Sequence, residues 1–141
     1  MKKKTIKYII LAIIIILIFV LSFFIYKNIF ADGNTTRYKD IENYKLTNDE
    51  KNSAKDKINE LDGIKNINIY IDSKIIKIVV KLENDIDFGT IQSKANEVIS
   101  SFSEKNLSYY DLEFFVSSSN EESEIYPQIG YKFKSNSEFS W

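Results

Sequence analysis

In INIYIDSKIIKIVVKL, residues 67–82, apolar and polar side chains alternate twice, with Asp-Ser-Lys between the two runs. Ile67, Ile69 and Ile71 share one side of an extended chain against Asn68 and Tyr70. Ile76, Ile78, Val80 and Leu82 share one side of the next against Lys77, Val79 and Lys81. A period of two marks a strand with one buried face, and a short turn between two such runs predicts a β-hairpin. A slip of one residue would turn every isoleucine to water, so the pattern sets the register. Tyr70, Ile75 and Val79 fall on the other face, which is therefore not wholly polar and is a candidate contact surface.

Upstream, KLTNDEKNSAKDKINELDG predicts a short helix. Thr47 with Glu50 three residues on forms a capping box, Leu46 lies just before the cap, and Gly63 lies past the end. Ala54, Ile58 and Leu61 give it a thin apolar stripe. Downstream, Asp87 caps FGTIQSKANEVISSFSEKNL, where Phe88, Ile91, Ala95, Val98 and Phe102 step by three, four, three and four, the spacing of one continuous helix. In YYDLEFFVSSS the alternation returns, with Tyr110, Leu112, Phe114 and Val116 opposed to Tyr109, Asp111, Glu113 and Phe115. After the solvated link SSSNEESE and Pro127, Ile129, Tyr131 and Phe133 alternate with Gly130, Lys132 and Lys134. This predicts a fourth strand with the aromatic set inward.

The expected fold class is α+β: a small two-layer α/β sandwich of order α-β-β-α-β-β, with a mainly antiparallel sheet, behind an N-terminal transmembrane helix. In element order alone, residues 46–117 resemble the ring-building or KH-like domains that bacterial secretion and sporulation complexes carry beside a single transmembrane helix. That resemblance implies an assembly role and carries over no residue.

The N-terminal part supplies the membrane expectation. From Tyr8 to Tyr26 no residue is charged, and at about 1.5 Å per residue the run matches the roughly 30 Å hydrocarbon layer. Lys2, Lys3, Lys4 and Lys7 precede it, which by the positive-inside rule puts the N-terminus in the cytoplasm. The competing reading is a signal peptide cut after Ala31 in IFA; the apolar run is longer than such peptides carry, so a retained anchor is preferred. The domain expectation is thus a basic cytoplasmic tail over residues 1–7, a transmembrane helix over 8–26, a juxtamembrane linker over 27–45 and an extracytoplasmic domain over 46–141. The partner expectation begins with the lipid bilayer through residues 8–26.

Charge divides along the same line. Residues 1–31 hold five lysines and no acid, whereas residues 32–141 hold 14 basic and 20 acidic side chains, a net of −6. A domain with that balance and one arginine in the whole chain is a poor fit to nucleic acid. The bias toward Ile, Lys and Asn points to an AT-rich bacterial genome.

The chain has no histidine and no cysteine. The usual zinc, copper and haem ligand sets and the His-dependent nucleophiles are therefore excluded, as are disulfides and lipid attachment at a cysteine. No S-x-x-K and no phosphate-cradling glycine pattern occurs. Paired acids remain: Asp111 with Glu113, and Asp85 with Asp87, read here as a solvated strand face and a helix cap rather than as catalysts. Glu121, Glu122 and Glu124 lack the spacing of a calcium loop. Asn34 and Asn106 fit the N-glycosylation sequon, relevant only in a eukaryotic secretory pathway.

The remaining signal is aromatic. Tyr109, Phe115, Tyr126, Phe139 and Trp141 are left over for the second sheet face or the chain end, and Tyr109, Phe115, Phe139 and Trp141 are the candidate partner contacts. The alternative role for Phe139 and Trp141 is to fold back over the open sheet face after the turn-prone Ser-Asn-Ser at 135–137. The expected function is non-enzymatic: a membrane-anchored extracytoplasmic interaction or assembly domain, without cofactor or metal, that meets a protein partner or further copies of itself within a cell-envelope complex. The alternative is a sensing module for cell-wall glycan or peptide.

Overall fold

The computed structural model describes residues 3–26 and 40–141, with side chains described in the first stretch only for residues 8 and 13–25. The chain divides into two compact units, Met1–Lys39 and Asp40–Trp141. In the first, Lys3–Tyr26 forms helix α1. Among the described residues no helix is long and apolar enough to cross a membrane; the run of side chains described in α1 rises only about 20 Å. The side chains of the basic tail over 1–7, the linker over 27–39, the IFA site at 29–31 and Asn34 lie outside the described residues.

In the second unit, a 3₁₀ turn over Ile41–Asn43 leads into α2, Asn48–Asn59. Then come β1 (Ile64–Asp72), β2 (Ile75–Leu82), α3 (Phe88–Ile99), α4 (Glu104–Tyr109), β3 (Asp111–Ser118) and β4 (Gln128–Lys132). The fold is α+β with a four-stranded sheet in the order β1-β2-β3-β4. The predicted hairpin forms in the predicted register, Ile69 opposite Ile78 and Ile71 opposite Ile76, with Ser73 in the left-handed region at the turn. Ile69, Ile76, Ile78, Val80 and Leu82 are buried with Tyr110, Leu112, Phe114 and Val116. They form one core with Ala54 and Ile58 of α2 and Ile91, Ala95 and Val98 of α3.

Three expectations need correction, the third in β4. The sheet is mixed rather than mainly antiparallel: β1–β2 and β3–β4 are antiparallel, but β2 and β3 run parallel, because the α3–α4 crossover carries the chain back to the end of the sheet where β2 began. The second helix is also not continuous. It stops at Ile99 and restarts at Glu104, with the Ser103 side chain capping the Asn106 N–H. Serine competes for backbone groups in helix interiors and favours caps, and Ser100, Ser101 and Ser103 crowd this stretch.

Glu50 locks that break in place. Besides closing the Thr47 capping box, its carboxylate accepts from the Ser103 N–H at 2.8 Å and from the Asn106 amide at 2.9 and 3.0 Å. One carboxylate thus serves the first turns of two helices, where the macrodipole favours negative charge. Burial by itself raises the Glu50 pKa, yet the donors from Ser103, Thr47 and Asn106 outweigh it and hold the group at about 2.

The fourth strand takes the opposite phase to the one expected. Gly130 and Lys132 face the helices, the latter 3% exposed, while Ile129, Tyr131 and Phe133 face outward. The cause is the chain end. Ser140 pairs with Tyr131 beyond the β4 edge, which carries Phe139 and Trp141 onto the helix side of the sheet. There Trp141 lies edge-on to Phe88 at 5.2 Å and to Phe114 at 5.9 Å, Phe139 meets Phe114 at 5.9 Å, and the Phe139 N–H donates to Asn96. Gly130 leaves room for this: a Cβ there would sit 2.8 Å from the Trp141 ring.

Candidate functional site

The face of the sheet away from the helices is the site the fold leaves open. Pairing across four strands sets Tyr70, Lys77, Glu113 and Tyr131 in one row, and Asn68, Val79, Phe115 and Ile129 in the next. Ile75 of β2 and Phe133, just past β4, extend the apolar surface toward one end. Tyr131 and Ile129 are each 42% exposed and Phe133 56%, whereas Phe115, Val79 and Ile75 are half-buried by their neighbours. Ile75, Tyr131 and Phe133, with Asp111 at the rim, line an apolar depression of about 240 Å³, a volume suited to a large side chain rather than to a drug-sized ligand.

Charge on this face runs through its middle: Lys77 and Glu113 lie in the row between Ile75 and the Val79, Phe115 and Ile129 row, and Lys81 lies one row further. Lys77 Nζ lies 3.2 Å from Asp72 and 3.7 Å from Glu113, and these raise its pKa, the Asp72 hydrogen bond most. The negative charge of Glu113, with a smaller contribution from burial, raises that of Tyr131. The face therefore presents an aromatic and aliphatic strip along β4 next to an Asp72–Lys77–Glu113 group of net charge −1 on the other three strands.

Of the four candidate contacts, the structure places Phe115 alone on this face. Phe139 is buried, 7% exposed, and Trp141 is half-buried beside it, both on the helix side. They do fold back, but onto the flank of the core next to α3 and not over the open face. Tyr109 stacks on Tyr44 at 3.9 Å and 6°, with Lys105 over the Tyr44 ring and Lys74 over its own. Tyr126, the other leftover aromatic, is buried and donates its hydroxyl to Ile86 O; burial, with Asp85 and Asp87 nearby, raises its pKa to about 12. Tyr70, Ile129, Tyr131 and Phe133 complete the open face. The alternation of the last three was visible in the sequence, and only its phase was misread.

The acids have local duties. Asp111 accepts from the Lys134 N–H, Glu113 pairs with Lys77, and Asp87 caps α3 through the Thr90 N–H. The Asp85 pKa is lowered, chiefly by the Ser118 hydroxyl. Glu121, Glu122 and Glu124 are exposed in the β3–β4 loop, and among the described residues no group of three or more acids is placed to hold a metal ion. The Asn106 side chain is buried and its amide is used by Glu50. Comparison of the chain with protein-family models, with curated proteins and with solved structures finds no match in any of the three.

Proposed function

We propose that this chain is a single-pass membrane protein, anchored through residues 8–26 with its N-terminus in the cytoplasm, whose extracytoplasmic α+β domain is a non-catalytic module that binds a protein partner through the open sheet face. The observation that carries the reading is that face itself: Phe115, Ile129, Tyr131 and Phe133 form an aromatic and aliphatic surface that, within the unit Asp40–Trp141, neither α2–α4 nor the chain end covers. Large exposed apolar patches with a polar rim mark interaction sites in monomeric domains. A protein surface fits better than a glycan, because Trp141 and Tyr109, the rings most suited to stacking on sugars, are engaged inside the fold. The anchor and its orientation rest on the uncharged run and the lysines before it.

The absence of native cysteine makes one experiment serve both parts. In intact cells, a membrane-impermeant maleimide should label Ser135→Cys, which lies in an exposed turn, and should label Phe133→Cys only after the partner has been stripped from isolated membranes. Failure to label Ser135→Cys from outside would overturn the orientation; equal labelling of Phe133→Cys before and after stripping would overturn the contact face.

A further inference from the structure

We infer that β1 pairs with β1 of a second copy, making a two-fold dimer with one continuous eight-stranded sheet. The β1 backbone edge is distinct from the open face, although Asn68 and Tyr70 stand at the β1 margin of that face. The two edges of the sheet are treated differently. Beside β4 the Ser140 segment pairs with Tyr131, and lysines stand at positions 132 and 134. The β1 edge has no strand beside it among the described residues, and from Asn66 to Ile71 it carries neither a charge nor a proline. Natural sheets blunt free edges with such residues or cover them, so an edge left plain in the middle is suited to receiving a strand.

Two features choose a second copy of this strand as the occupant. INIYI, residues 67–71, reads almost the same in both directions about Ile69. An antiparallel pair centred there sets Ile67 against the partner's Ile71, Asn68 against Tyr70 and Asn66 against Asp72. Second, Ile67 and Ile71 are half-buried, and each lines a shallow depression at the edge, of about 220 Å³ near Ile64 and Lys65 and about 350 Å³ near Leu46 and Tyr110. The two-fold brings the isoleucine of one copy to the depression of the other.

The test uses full-length chains in detergent, Asn68→Cys and Tyr70→Cys prepared separately. Both positions are exposed on the strand, so neither variant should disturb the core. Directly opposed Cβ atoms lie about 5 Å apart, near disulfide reach, whereas diagonal neighbours lie about 7–8 Å apart. Mixing the two variants before oxidation should therefore give several-fold more disulfide dimer than either alone or than Ser135→Cys at the far side of the domain. A mixture that crosslinks no better than Ser135→Cys, or no better than each variant by itself, would overturn the pairing.

Discussion

Deletion of residues 138–141 should lower the melting temperature of the domain by roughly 12–20 °C. The segment sets the half-buried Trp141 ring against Phe88 and Phe114 and the buried Phe139 ring against Phe114, and closes the β4 edge with two backbone hydrogen bonds of 2.8 Å. Losing a buried aromatic side chain from a core costs about 3–5 kcal/mol. In a domain of about a hundred residues each kcal/mol moves the midpoint by about 4 °C or more. Gly130→Ala should reproduce part of that loss, because its methyl would strike the Trp141 ring. In the truncated chain the same substitution should cost almost nothing, a non-additivity that places Gly130 and Trp141 in one contact. Circular dichroism melts of the two single changes and their combination check this; a truncation that shifts the midpoint by less than about 3 °C would remove the tail from the core.

Glu50→Ala should cost about 2–4 kcal/mol, because a charged acceptor disappears from donors on three residues, leaving the Ser103 N–H without its partner and the buried Asn106 amide with only a 3.4 Å contact to Lys45 O. The same group predicts the acid limb of stability. The folded-state pKa, about 2, lies below the unfolded value of 4.5. Its contribution is therefore fully present above pH 4.5 and is lost as the pH falls from there toward 2. Since the side chain is only half-buried, solvent screening reduces that contribution to about 1–2 kcal/mol. Urea midpoints between pH 6 and pH 2.5 should fall more steeply for the natural chain than for Glu50→Gln. Parallel curves would mean that the carboxylate is not held in this network.

The parts of the fold legible in the sequence were those set by local chemistry. The Thr47 capping box, the Asp87 cap and the hairpin register about Ile69 and Ile78 each follow from residues within a few positions of one another, and all three form as read. What escaped was decided by distant residues. The break between α3 and α4 depends on Glu50, more than fifty positions upstream, receiving the Ser103 N–H. The phase of β4 depends on Trp141, which needs the one strand position without a Cβ; hydrophobic alternation alone favoured Ile129, Tyr131 and Phe133 as the inner set and left Lys132 outside. The parallel pairing of β2 with β3 is a property of the crossover and leaves no mark in either strand. The candidate site inherits the β4 error: once the phase is reversed, Ile129, Tyr131 and Phe133 join Phe115 on one face, and Phe139 and Trp141 move from the contact surface into the packing.

The open face as partner surface is tested most directly by photo-crosslinking in intact cells, with a benzophenone amino acid placed singly at Tyr131 or Phe133 on the open face and at Asn52 on the exposed side of α2. The account predicts a discrete adduct with another protein from Tyr131 and from Phe133 and none from Asn52. Adducts from Asn52 with none from the two open-face positions would contradict it.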